Sequence, residues 1–403
     1  MTSSRERFPG ASEAEWRDWR WQQRHALRTV EDLLGVADLT SAERRGLAET
    51  AGTFRVGVTP YYASLIAAAH PSCPVRMQAI PVAAEGQAAP GDLRDPLGED
   101  RHRPVRAVVH KYPDRVLFLV TDTCAVYCRH CTRRRITGGE EGAFDRAAVE
   151  GGLAYVRAHP EVRDVIVSGG DPLVLSDERL GAILVALRAI PHVQILRLAT
   201  RAPVTCPMRV TDDLARLLRA VKPLFVVTHF NHPKECTPDA QEACERLVDH
   251  GVPVENQTVL LRRVNSSART IADLNQRLLT WRVRPYYLHQ GDVAEGTGHL
   301  RTSLATGIEI LRALRGHTSG LAVPHLAVDL PGGGGKVTIQ PEYSLGAGEA
   351  PDGARGTWFR NYRGERYLYP DPPETEASCP YDEVFYASRE SARELRESRG
   401  SAG

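Results

Sequence analysis

Cys124, Cys128 and Cys131, in the segment TDTCAVYCRHCTRRR, have the spacing C-x3-C-x2-C, which gathers three thiols on one short loop. A structural zinc site normally takes four protein ligands, and no fourth cysteine lies nearby in sequence. Three thiolates instead suit a [4Fe–4S] cluster, because one iron is then left open to a small molecule. An incomplete zinc site and chance core cysteines are the competing readings. The loop's place directly after an apolar run, 116–120, favours the cluster. Cys73, Cys206, Cys236 and Cys244 lack ligand spacing and read as packed thiols.

The second chemical signal is a lysine. Of the 51 basic residues only Lys111, Lys222, Lys234 and Lys336 are lysines, so lysine chemistry must use one of four positions. Lys336 ends the run PGGGGK. Glycines 332–335 could expose N–H groups to a phosphate or act as a flexible linker. A Walker loop is disfavoured because valine and an extended segment follow, where Ser/Thr and a helix are wanted. The reading preferred here is a Schiff-base lysine holding pyridoxal phosphate (PLP), since a lysine buried beside a cofactor can lose its proton and form an imine. Gly169, Gly170 and Asp171, in VSGGDP, follow another apolar run, where glycines form a tight turn or let backbone approach a ligand closely.

These residues need a frame, and the chain's rhythm supplies one. Short β-branched runs lie at 116–120, 164–168, 193–198, 224–230, 252–261 and 283–288, most starting about 30 residues apart, the length of one βα unit. Amphipathic segments fill the gaps at 145–158, 177–189, 212–220, 238–250, 268–281 and 303–314. The fold class expected is α/β, an open (βα)6 TIM-like barrel rather than a dinucleotide-binding sheet, with chemistry at the C-terminal ends of the strands.

Four regions follow: helical 1–115, a 116–315 core, a 316–370 segment with the lysine and a hairpin around 358–369, and a 371–403 tail. Ser12 with Glu15 and Thr40 with Glu43 have capping-box spacing. Trp16, Trp19, Leu27, Val30 and Leu34 recur at roughly helical spacing as core of the N-terminal region. Fifty acids balance the bases, so no global field favours nucleic acid or membrane, and no apolar run reaches membrane-spanning length. A cytoplasmic protein with reduced thiols is expected.

The order of the motifs resembles that of the lysine 2,3-aminomutase family of radical S-adenosylmethionine enzymes, through HKYPDRVL, CRHCTRRR, SGGDPL, TRAPVTCPMRVT, THFNHP, ENQTVLLRRVN, RPYY, RGHTSG and PGGGGK. The resemblance spans about 15–370. It implies a partial radical S-adenosylmethionine barrel in which a 5′-deoxyadenosyl radical drives a 1,2-amino shift on a PLP aldimine, converting L-lysine to L-β-lysine. Arginine, giving β-arginine, is the alternative substrate. More remote are a PLP-independent enzyme of the superfamily and a non-enzymatic iron–sulfur module.

The same resemblance assigns Gly169, Gly170, Asp171 and Gln257 to S-adenosylmethionine, Arg133 to the substrate carboxylate, and Asp292 and Asp329 to its distal cation. His289 stands where the lysine enzymes usually have tyrosine, and Val227 where relatives often have asparagine. The tail has only Cys379, and Ser267 occupies the position of a partner cysteine, so no zinc is expected. A homo-oligomer and an electron donor such as flavodoxin or ferredoxin are implied as well.

Overall fold

The protein, seen in a computed structural model, is described over residues 4–50, 54–137, 144–372 and 386–387. Two compact units result, Met1–Pro341 and Glu342–Gly403. The division falls inside the segment that the sequence suggests as 316–370. Cys379 and the terminal helix suggested by the sequence lie outside the described residues.

One nine-stranded sheet organises the first unit, and its spatial order is its chain order. The strands are β1 (Val108–Tyr112), β2 (Arg115–Leu119), β3 (Asp164–Ser168), β4 (Ile195–Ala199), β5 (Leu224–Thr228), β6 (Val254–Leu260), β7 (Arg284–Gln290), β8 (His325–Leu330) and β9 (Gly335–Ile339). β2 to β8 run parallel, and an antiparallel strand flanks them on each side. The six expected strands form a nearly closed parallel barrel.

Three further strands extend that count. β1 lies inside the stretch assigned to the helical region, because His110, Lys111 and Tyr112 interrupt its apolar pattern and only the partner strand β2 carries a clear apolar run; the chain reverses between them at 113–114. β8 and β9 bracket the glycine run, whose sequence gives little strand signal.

Hydroxyl or carboxylate caps fix the starts of the core helices. Asp145, Ser176, Thr211, Thr237, Ser267 and Ser303 each accept an N–H from the first turn of a helix, satisfying a donor that the helix leaves orphaned. The helices that follow are Arg146–Ala158, Asp177–Arg188, Asp212–Ala220, Pro238–Asp249, Ala268–Thr280 and Leu304–Leu314. Helix Asp177–Arg188 buries Leu180, Ile183, Leu184 and Leu187, an i, i+3, i+4, i+7 stripe turned towards the sheet. Each such side chain contributes roughly 1.5–3 kcal/mol on burial.

Strand alternation divides core from site. Val165 and Val167 are fully buried in the apolar core, while Asp164, Ile166 and Ser168 line a central cavity. In β4, Leu196 and Leu198 face the core, and Arg197 and Ala199 the cavity.

The N-terminal region is helical, with both expected capping boxes formed. Its apolar stripe is not one helix, however. Asp18 closes Glu13–Arg17 and caps Trp19–Arg24, and a third helix, Val30–Leu34, buries Leu33 and exposes Leu34.

In the second unit β10 (Ser344–Glu349), β11 (Arg355–Arg360) and β12 (Arg366–Pro370) form an antiparallel sheet. Its β11–β12 pair is the hairpin suggested by WFRNYRGERYLY. Among the described residues no helix is long and apolar enough to cross a membrane.

Candidate active site

The cysteine loop leaves the end of β2 and is held from three sides. Tyr127 N–H donates to Gly57 O at 3.0 Å, and Arg129 N–H to Gln78 O at 2.9 Å. Arg129 is wholly buried and paired with Glu85 at 2.6 Å. These anchors bring Cys124, Cys128 and Cys131 to the wall of one cavity of about 720 Å³.

Burial, reinforced by the neighbouring thiols, pushes the Cys124 thiol well above its ordinary value, and burial likewise raises that of Cys131. Such thiols become thiolates only with a compensating positive centre, and soft sulfur donors suit iron.

Gly169 and Gly170 let β3 dock on the loop. Gly170 N–H donates to Thr121 O at 2.6 Å, and Asp171 N–H to Thr123 O at 2.9 Å. A Cβ on Gly169, whose φ is +133°, would lie 2.2 Å from Thr121 O. The Asp171 carboxylate is turned into the protein, accepting from Thr200 Oγ1 at 2.6 Å, Arg201 N–H at 2.8 Å and Leu173 N–H at 3.0 Å.

Arg201 is a functional candidate that the sequence did not single out. Its Nη1 lies 2.7 Å from Cys128 Sγ, and Nη2 donates to Gln78 Oε1 at 2.7 Å and Glu235 Oε1 at 2.8 Å. The only advance sign was its place in TRAPVT after a strand.

Across the cavity, β8 and β9 bring Asp329 and Lys336 into direct cross-strand register. Lys336 Nζ donates to Asp329 Oδ2 at 2.5 Å and lies 3.4 Å from His289 Nδ1. His289 Nε2 is 3.2 Å from Gln257 Oε1, so a proton on Nε2 leaves Nδ1 as the acceptor facing lysine. Burial and then the Lys336 charge hold His289 well below the usual imidazole value, keeping it neutral. Tyr112, on β1, accepts the Lys336 backbone N–H at 2.9 Å.

The glycine run makes this register possible but is not a phosphate cradle. Gly332 N–H donates to Pro96 O at 2.9 Å, and Gly334 N–H to Leu330 O at 3.1 Å. Gly332, Gly333 and Gly335 have φ values of +65°, +86° and +93°, so the run reverses the chain where side chains would strain it.

Arg133 lies on the same cavity, with Nε 2.9 Å and Nη2 2.8 Å from one oxygen of Glu99. Glu99 lies in a Gly-, Pro- and acid-rich stretch, 83–103, where nothing in the sequence marks it out. Asp292 accepts from Thr132 Oγ1 at 2.5 Å, and burial together with the Asp329 charge pushes its carboxyl up to about 6. Val227 also lines the cavity, whereas Ser267 is a helix cap. All the residues singled out in the sequence for cluster, cofactor and substrate therefore line one space, but the Asp171 carboxylate assigned to S-adenosylmethionine is engaged by Thr200, Arg201 and Leu173 instead.

A parallel barrel whose first parallel strand delivers three thiols to the mouth of a central cavity defines a radical S-adenosylmethionine enzyme, a class that pairs an iron–sulfur cluster with that cofactor. Residues 118–274 match the Radical SAM superfamily, and residues 311–400 match the family described as Lysine-2,3-aminomutase. The chain is 46% identical over 376 residues to the L-lysine 2,3-aminomutase of Fusobacterium nucleatum, covering 93% of this chain and 87% of that one. It is 45% identical to that of Clostridium subterminale, covering 94% and 89%, and 41% identical to the glutamate 2,3-aminomutase of Clostridioides difficile, covering 84% and 80%. The chain belongs to the lysine 2,3-aminomutase family and is an isomerase.

Proposed function

We propose that the protein interconverts L-lysine and L-β-lysine by a radical 1,2-amino shift. A [4Fe–4S] cluster would be held by Cys124, Cys128 and Cys131, and PLP by Lys336. When bound, the cluster with S-adenosylmethionine supplies a carbon-centred radical, and PLP a conjugated system that carries the migrating nitrogen. The observation that carries the reading is the single cavity shared by three thiols, a lysine on a strand and two carboxylates.

The remaining work belongs to side chains of this chain. Arg133, oriented by Glu99, offers its guanidinium to the substrate carboxylate. Asp292 and Asp329 lie on the same cavity and would receive the distal ammonium. Two half-buried carboxylates repel an acidic side chain, so glutamate fits this pocket poorly. Lys111, Arg115 and Arg197 line the cavity too and provide cationic groups for a phosphate. Gly169, Gly170 and Gln257 border the space beside the thiols where S-adenosylmethionine would sit, and the protein side of Asp171 keeps that border in shape.

A guanidinium would also satisfy the carboxylate pair, which keeps arginine as the second reading. Reconstituted enzyme given dithionite, S-adenosylmethionine and PLP with lysine and arginine in competition separates the two. Formation of β-lysine is expected; β-arginine alone would transfer the assignment to arginine, and neither product would overturn it. Reduction in the cell would draw on a small electron carrier such as flavodoxin or ferredoxin, and a homo-oligomeric enzyme is the expected state.

A further inference from the structure

The carboxylate assigned to the substrate's distal cation lies against a cation of this chain. Asp329 Oδ2 takes the Lys336 ammonium at 2.5 Å, and cross-strand pairing of the two residues makes that contact local and short. The ammonium is further bounded by His289 Nδ1 at 3.4 Å and by the Tyr287 ring, whose centroid is 5.5 Å away. A neutral imidazole and an aromatic face accept a cation without competing for Asp329. The second carboxylate, Asp292, is held by Thr132 and feels the charges of both Asp329 and Lys336. Arg133, the nearby guanidinium, is engaged by Glu99.

Lys336 is also the residue proposed to hold PLP. Its nitrogen cannot be linked to a cofactor and remain the free ammonium on Asp329. Once that nitrogen is taken, Asp329 and Asp292 line one cavity without their lysine, and partly buried carboxylates lacking a cation are costly. The least costly remedy is a cation brought by the ligand.

We propose that Lys336 is a built-in occupant of the distal-cation subsite, so that the protein gains its affinity for a cationic amino acid only when the cofactor draws the lysine away from Asp329. The inference rests on the substrate reading above and adds an order to it, cofactor first and substrate second. By linkage, a cation bound at Asp329 must in turn favour the lysine's release from that carboxylate by the same factor.

The test uses 6-aminohexanoate, which has lysine's carboxylate and distal ammonium but no α-amine, titrated calorimetrically into the PLP-free full-length protein. Lys336→Met is expected to bind it at least about ten-fold more tightly than the parent protein, because one neutralised carboxylate is set free. Lys336→Arg, which keeps a cation there, is expected to bind as weakly as the parent. Asp329→Asn combined with Lys336→Met is expected to lose the gain, and hexanoate to bind every variant alike.

Equal affinity of the parent and Lys336→Met, with Asp329→Asn weakening both, would overturn the occupancy proposal and leave the substrate reading standing. If Asp329→Asn changes nothing in the Lys336→Met background, the distal-cation reading itself fails and the proposal with it. Thermal unfolding of each variant shows that the folded protein is being titrated.

Discussion

Arg129 and Glu85 form a two-pronged ion pair between Cys128 and His130, with Nε to Oε1 at 2.9 Å, Nη2 to Oε2 at 2.6 Å and both side chains out of solvent. Burial opposes the Glu85 charge, and Arg129 and Arg134 more than offset it, holding the carboxyl below its usual value. Glu85→Ala leaves a buried guanidinium unpaired and is expected to cost about 3–5 kcal/mol. Urea unfolding checks this against Glu150→Ala, whose partner Arg146 is solvent-exposed and for which little or no loss of stability is expected.

Cys128→Ala removes one of three sulfur donors. The reconstituted variant is expected to lose its bound iron and the visible absorbance of the cluster, and to yield no 5′-deoxyadenosine on reduction. A variant that keeps its full iron content would show that this cysteine is not a ligand.

Gly169→Ala places a methyl group 2.2 Å from Thr121 O on backbone with φ +133°. Both the contact and the conformation resist an alanine, at a cost of about 1–3 kcal/mol from the conformation alone. The barrel is expected to remain folded by circular dichroism while iron uptake falls, because β3 can no longer dock against the residues leading into Cys124.

Much of this was legible in the letters. The six βα units could be read because caps and apolar stripes are local signals, and the observed helices begin within a residue or two of the expected starts. Local signals fail where a partner decides. Glu99 is one acid among several in an irregular stretch until Arg133 faces it, and Arg201 is one arginine of many until its contacts with Cys128, Gln78 and Glu235 are seen. The four glycines misled in a different way. Their phosphate-cradle reading was chemically sound, yet Pro96 and Leu330 take two of the run's four N–H groups. Asp329 was assigned to substrate, but only register shows that it also faces Lys336.

Asp292 supplies a pH signature. Its folded-state value, about 6, lies above the 3.8 of a free carboxyl, so the fold disfavours its ionisation. The stability this group contributes is therefore present below the lower value and lost as pH rises through about 6. Asp292→Asn is expected to be more stable than the parent above pH 7, with the difference in Tm shrinking as pH falls towards roughly 4. A difference independent of pH would contradict this account of the burial.

Borohydride reduction of the PLP-loaded protein, followed by peptide mass mapping, is expected to place the cofactor on the peptide containing Lys336. Label on Lys111, which lines the same cavity, would reverse the assignment.

The sheet's spatial order, identical to its chain order, also bears on how the protein is made. Each strand pairs with its predecessor, so the barrel can grow by addition at one edge as the polypeptide emerges from the ribosome, without waiting for a distant segment. The three cysteines are translated about 200 residues before Lys336 and belong to the second strand's loop, whereas the lysine arrives on the ninth. Synthesis thus completes the loop of Cys124, Cys128 and Cys131 while the strand carrying Lys336 is still unmade.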